Sequence, residues 1–242
     1  EDIDKAGISK IEIEKEINVA AIVVATGIGS TPEHILKKYG YGLPNVLTAL
    51  EFESLQKLNG PTNGKLALLN SSLEIGSSGS SAKVPQDATV SKISEKYPER
   101  IAWIQCVGSR DLTTPDCGHC SSVCCMHAVK EAVGAKDKLG DDLVTDIFYM
   151  DLRAFGKGFE EYYINAKNRG VNFKRSRVNE IVPSKLNGET FSSGATVIYH
   201  DQESNQVKEE RYDMVVLSTG IHVSDETKAM MKSIGFRVDN SG

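Results

Sequence analysis

The sequence predicts a three-layer α/β fold on three observations. Strand-like and helix-like segments alternate from residue 99 to residue 182, a long β-hairpin follows them, and an apolar strand closes the pattern. RIAWIQCVG (100–108) reads as a buried strand running into a cysteine-rich segment, and SSVCCMHAVKEAVGAKDKL then sets Val123, Val129 and Val133 at helical spacing. DLVTDIFYMDLRAFG reads as the next strand, and FEEYYINAKNRG as a helix that stops at Gly170. VNFKRSRVNEIVPSK and ATVIYHDQESNQVKEERYDMVVLSTG read as strands, with a hairpin over Gln202 to Asn205.

Upstream, IEIEKEINVAAIVVATG (11–27) passes from alternating Ile and Glu to a continuous apolar run. That is the pattern of a strand entering a buried parallel sheet, with its carboxyl end facing a ligand crevice. Residues 31–60 read as a loop containing Pro44, then a helix from about Thr48, capped by Gly60, with Leu50, Leu55 and Leu58 inward. The Gly/Ser-dense stretch from Pro61 to Pro98 reads as a linker. It is no phosphate-binding loop, because Lys83 lies between Ala82 and Val84 rather than in a Gly-Lys-Ser/Thr context.

Composition narrows the function classes. The 242 residues are 40% hydrophobic and 25% charged, as in an ordinary globular protein, and no window supplies the roughly 20 apolar residues of a membrane-spanning helix. A net charge of -5 without a basic stripe argues against a nucleic-acid partner; the short run Lys174 to Arg177 reads as a solvated strand edge. The N-terminus has neither a secretory layout nor an initiator Met, so the chain is expected to be a processed or excised piece. With an odd number of cysteines, it is expected in a reducing, cytoplasmic compartment.

All five cysteines fall in one segment, with the spacing Cys106-x10-Cys117-x2-Cys120-x3-Cys124-Cys125. Disulfide frameworks spread along a chain, whereas metal and redox sites cluster. Cys106 ends a strand, and Cys120 and Cys124 can share a face of a helical turn with Cys125 beside them. A helix N-terminus there would stabilise thiolate charge. Spacing alone leaves three readings: structural zinc, which the vicinal pair suits poorly, a thiol-disulfide active site, or an iron-sulfur cluster. His119 and His127 read as neighbouring polar residues rather than ligands.

The segments WIQCVGSRD (103–111), CSSVCCMHAVKEA (120–132) and IFYMDLRAFGKGFEEYY (147–163) closely resemble the A-type subunit of heterodisulfide reductase. The resemblance extends to INVAAIVVATG, YGYGLPNVLTALEFE and YDMVVLSTG, so it covers nearly all of the chain outside the linker. It implies a thioredoxin-reductase-like fold with two dinucleotide-binding domains, the FAD domain being incomplete. The expected division is a partial FAD domain (1–60), a linker (61–98), an inserted module carrying the cysteines (99–182), and a β-ribbon with the return to the FAD domain (183–242).

In a pyridine-nucleotide enzyme, G-x-G-x-x-G would follow the first strand of the inserted module. Here the turn reads Cys106-Val-Gly-Ser-Arg and keeps only Gly108. The resemblance implies that Cys106, Cys120, Cys124 and Cys125 hold a [4Fe-4S] cluster in its place, with Cys117 as a spare or alternative ligand. For the flavin it implies Ala25, Thr26, Gly27, Ser218, Thr219 and Gly220 at strand ends, Lys130 on the N5 side, and Glu51 or Glu53 toward the ring. Asp151, where a ribose-binding acid would sit, reads as structural. The G-x-G-x-x-G that opens a FAD domain does not occur, nor do ferredoxin-type cysteine runs. The implied activity is that of an oxidoreductase subunit. It would relay electrons between FAD and the cluster and on to partner iron-sulfur subunits within a homo- or hetero-oligomer, with no substrate site of its own.

Overall fold

In the structure, a computed structural model, residues 16–29, 31–60, 62–69, 94–114, 117–186 and 189–237 are described. In chain order the elements are α1 (Glu33–Lys37), β1 (Val46–Thr48), α2 (Ala49–Gln56), β2 (Arg100–Val107), α3 (Cys124–Leu139), β3 (Val144–Tyr149), α4 (Phe159–Asn168), β4 (Val171–Arg175), β5 (Val178–Leu186), β6 (Glu189–Asp201), β7 (Gln206–Tyr212), β8 (Met214–Thr219) and α5 (Asp225–Ser233). Five strands form a parallel sheet in the order β1-β8-β2-β3-β4, and β5-β6-β7 form an antiparallel ribbon.

Alternation along β2 divides the core. Ile101 and Trp103 face one side, against Phe52 and Leu55 of α2, Ala128, Val129 and Ala132 of α3, and Ala166 of α4. Ala102 and Ile104 face the other side, against Val178, Ile181, Val197, Tyr199 and Tyr212 of the ribbon. The three layers are therefore helices, parallel sheet and ribbon. The α/β alternation and the hairpin over 202–205 stand as expected from sequence.

A charged network ties the ribbon to the sheet. Tyr212 donates to Asp146 at 2.5 Å, and Lys174 reaches both Asp146 (2.9 Å) and Glu210 (2.6 Å). Burial first, then the nearby Asp146 charge, holds the Tyr212 phenol neutral far above its ordinary range. Each buried charge thus has an opposite partner, which offsets its desolvation.

Four expectations need correction. The run from Ile17 to Ile28 is not a buried strand: Ile22 is 69% and Val23 88% exposed, and the one bridge in this stretch joins Gly29 to His222. An apolar run becomes a buried strand only when a neighbour takes up its backbone groups, and the sheet edges here are β1 and β4. In α2, Leu50 and Leu58 face out while Phe52 and Leu55 are buried. The helix ends at Gln56, so the inward stripe runs Ala49, Phe52, Leu55 and leaves Leu58 beyond it.

The expected boundaries at 60 and 182 cut across a single sheet. β1 pairs with β8, and β8 with β2, so residues on both sides of each boundary build one body. The linker expected over 61–98 is also shorter than its composition suggests. Leu66 and Leu69 are buried, Asn45 exchanges two hydrogen bonds with the Leu69 backbone, and Leu68 pairs with Ser94 and Lys96. The remainder of that expectation, 70–93, lies outside the described residues, as does the Ile/Glu alternation before residue 16.

Candidate functional site

β2, β3 and β4 step outward in one direction while β8 and β1 lie on the other side, so the strand order reverses between β8 and β2. In open parallel sheets the crevice beyond the carboxyl ends at such a reversal is where ligands bind. Cys106 sits there. The pairing of β2 with β8 slips between Ile104 and Val107, and both of those residues face the ribbon although three positions apart. Strict alternation forbids that, so the chain carries an extra residue: Cys106 takes φ +62, a conformation costly for a side chain with a Cβ. The bulge re-aims its thiol toward the start of α3.

A turn follows, closed by Ser109 N–H to Cys106 O (3.2 Å), and the cysteine loop is then tied back on itself. Arg110 N–H reaches His119 O at 3.0 Å, and Asp111 N–H reaches Cys117 O at 2.8 Å. Asp111 also accepts from Thr113 and Thr114, which holds its carboxyl down at about 2. Cys120 is half-buried on this loop, and Ser122 N–H approaches its sulfur at 3.4 Å. Cys124 and Cys125 are the first two residues of α3, whose N-cap, Val123, offers no side-chain acceptor. The Cys124 amide of that first turn is turned to its own sulfur, where the positive end of the helix favours thiolate charge.

Cys106, Cys117, Cys124 and Cys125 are buried, and none of the five cysteines forms a disulfide. Cys124 is lowered to about 6, chiefly by the hydrogen bond from Cys125 and further by the Ser121 hydroxyl and the Cys106 backbone, while burial opposes. Its partner Cys125 is driven strongly the other way: it donates to Cys124 and is buried. The pair therefore shares one proton, with the negative charge on Cys124 at the helix terminus. Burial, followed by the Cys124 charge, pushes Cys106 up to about 11; Arg110 opposes this and Cys120 adds to it. Four thiols thus feel one another across a strand end, a loop and a helix start.

Among the described residues, no three His, Cys, Asp or Glu side chains are arranged to hold a metal ion. A four-iron cluster makes a different demand, since each thiolate binds its own iron and the donors stand around a cage. Cys106 interacts with each of Cys120, Cys124 and Cys125, none of them in a disulfide, and such a set of thiols suits that chemistry. Cys117 is fully buried, with its backbone pinned to Thr114 and Asp111.

The flavin candidates fall into two groups. Ala25, Thr26 and Gly27 are exposed, and just beyond them Gly29 N–H bonds to His222 O at 2.7 Å, which brings this segment to the end of β8. Ser218 is buried and accepts from Gln105 at 3.1 Å; Thr219 is half-buried. Gly220 donates to Val107 O and crosses so close to Ser109 that a Cβ would fall 2.1 Å from the Ser109 hydroxyl. In the helix layer, Lys130 is exposed and lies 3.5 Å from Glu53, which also faces His127 at 3.2 Å. Lys130 and His127 pull the Glu53 carboxyl below its usual range against the opposing effect of burial. Glu51 is placed differently. It is fully buried and closes the capping box of α2, taking Thr48 N–H at 2.6 Å and the Tyr41 hydroxyl at 3.0 Å.

Sequence reasoning did not single out Arg110, which meets Asp151 in an ion pair across the ends of β2 and β3. Nor did it single out Glu131, fully buried, which accepts from Trp103 Nε1 at 3.0 Å and lies 3.3 Å from His127. The signal for Arg110 was its place in the turn just after Cys106; Glu131 stands in α3 where the helical stripe calls for an apolar residue.

No protein-family profile matches this sequence. The chain is 37% identical over 233 residues to the A-type subunit of the H(2):CoB-CoM heterodisulfide,ferredoxin reductase of Methanothermobacter marburgensis, covering 95% of this chain and 30% of that protein. It is 38% identical over 221 residues to an A-type iron-sulfur subunit of the CoB--CoM heterodisulfide reductase of Methanopyrus kandleri, covering 90% and 29%. The chain thus spans about 30% of the length of the curated relatives it matches. Among solved structures it is similar to the thioredoxin reductase of T. acidophilum, at 16% identity and a TM-score of 0.35 over 59% of this chain and 37% of that one.

Proposed function

We propose, from the premise that this chain belongs to the family of heterodisulfide reductase A-type subunits, that it is the cluster-bearing part of an electron-transfer flavoprotein subunit. Cys106, Cys120, Cys124 and Cys125 would ligate a [4Fe-4S] cluster, with Cys117 in reserve. The observation that carries this reading is the meeting of four thiols at the sheet reversal, where a pyridine-nucleotide enzyme has its glycine loop. A cluster there exchanges single electrons where a nicotinamide would deliver a hydride.

On this reading, FAD is held only in part by this chain. Ala25 to Gly27 and Ser218 to Gly220 would meet its edge at the crossing of Gly29 and His222. Lys130, held by Glu53, would offer a cation to the reduced ring. Glu51, engaged with Thr48 and Tyr41, would act by fixing α2 rather than by touching the flavin. The partners would be further iron-sulfur subunits that receive the electrons, in the cytoplasm and within a homo- or hetero-oligomer. Among the described residues no helix is long and apolar enough to cross a membrane.

Anaerobic purification followed by iron, sulfide and zinc analysis tests the proposal. About four irons with matching sulfide per chain are expected, and serine at Cys106, Cys120, Cys124 or Cys125 should lower that content. One zinc per chain without iron sinks the proposal in favour of a zinc-stabilised module. A second reading draws on the vicinal pair, because a Cys124 thiol lowered to about 6 is an active nucleophile at neutral pH. Dithiol oxidoreductase activity that persists in iron-free protein and vanishes in Cys124→Ser would support that reading.

A further inference from the structure

Between Cys106 and Arg110 the backbone takes the left-handed conformation three times, at Cys106 (φ +62), Gly108 (φ +67) and Arg110 (φ +55). Gly108 has no Cβ to strain, but the other two positions do, and a fold tolerates such residues when their surroundings fix them. The Arg110 amide is anchored to His119 O, so the turn is closed whatever side chain it carries. The Arg110 guanidinium meets the Cys106 sulfur on one side and the Asp151 carboxylate on the other. Asp151 lies just past β3, and Arg153, two residues on, is 3.7 Å from it and turns its backbone N–H to Cys125. The β2 turn and the β3 turn thus reach the thiol cluster together.

We propose that Arg110 is a positioning residue that holds the Cys106 thiolate against the iron-sulfur cluster and raises the cluster's reduction potential, with Asp151 moderating its charge. The inference rests on the cluster reading above. Reduction adds one electron and no proton, so the ligated cluster becomes more negative by one charge. A guanidinium hydrogen-bonded to one of its sulfurs stabilises the reduced form more than the oxidised form. Asp151 partly cancels that field. The Arg110 side chain is only a quarter exposed, so solvent screens the interaction incompletely.

The test uses the full 242-residue chain, loaded anaerobically with ferrous iron and sulfide. It is then reduced stepwise with dithionite, which supplies the electron and is oxidised to sulfite, while the reduced-cluster EPR signal is followed against potential. Arg110→Gln is expected to keep its iron and show a midpoint potential below wild type. Asp151→Asn should shift it upward, because the guanidinium charge is then uncompensated. Opposite shifts are the signature, since general disturbance of the loop would move both variants the same way. An unchanged or raised potential in Arg110→Gln overturns the proposal. Should Arg110→Gln fail to retain iron, Asp151→Asn decides alone: an upward shift sustains the proposal and any other outcome overturns it. A wild-type chain that takes up no iron sinks the cluster reading itself, a failure distinct from loaded variants with unmoved potentials.

Discussion

Glu131 is a carboxyl held away from water by the core of the helix layer, with Trp103 donating to one oxygen while the other approaches His127. Burial raises its pKa well above 4.5; the Trp103 bond works against this, the Glu53 charge adds to the rise and Lys130 opposes it. The folded protein therefore keeps a proton that the unfolded chain releases near 4.5, so the favourable contribution is complete below that pH and is lost as pH rises toward the folded-state value. His127 acts in the opposite sense. Burial lowers its pKa, so its contribution is lost as pH falls below the ordinary imidazole value of 6.5. Glu131→Gln keeps the Trp103 acceptor and removes the titration, so its stability relative to wild type should grow as pH rises above the ordinary carboxyl value of 4.5. Urea unfolding at a series of pH values, followed by Trp103 fluorescence, measures this; parallel pH profiles for the two proteins would refute it.

At the scale of elements, α2 is the short support on which β1 and the helix layer depend. Its capping box joins Thr48 and Glu51, and Phe52 meets Trp103 edge to face at 5.5 Å. Phe52→Ala should destabilise the chain by about 3–5 kcal/mol, since the sheet behind the cavity cannot collapse into it; Leu50→Ala, on the exposed face, should cost under about 1 kcal/mol. Chemical denaturation of the two variants gives the comparison, and equal losses would contradict the helix phase.

The same helix shows where sequence is legible. Its cap at Thr48 can be read, because a Thr with Glu three residues later is a local signal. Its inward stripe cannot, because eight residues leave the choice between Leu50 and Phe52 to tertiary contacts. Three-residue β1 is too short for periodicity to register. The alternation from β2 to β4 and the hairpin before β7 are long enough to be read without the structure. So was the clustering of cysteines around one strand end, whereas the bulge that turns Cys106 and the Arg110–Asp151 pair depend on how two distant turns meet.

Taken whole, the molecule places its thiols where the strand order of its parallel sheet reverses, with helices on one face and a ribbon in place of a second helix layer on the other. The fold body is continuous from β1 through β8, yet Ile17 to Ile28 lies outside its cores. Within it, Ala20 to Ala25 reads AAIVVA: uncharged, free of proline and rich in β-branched residues, the composition that stacks into intermolecular sheets. Val23→Lys should cut the light scattering of concentrated protein while leaving the unfolding midpoint in place, since Val23 is 88% exposed and supports no core. Scattering unchanged by the lysine would place self-association elsewhere. In handling, self-association through this stretch would remove protein during the iron loading proposed above, so lost material would report strand-to-strand aggregation as readily as cluster chemistry, and a charged gatekeeper separates the two.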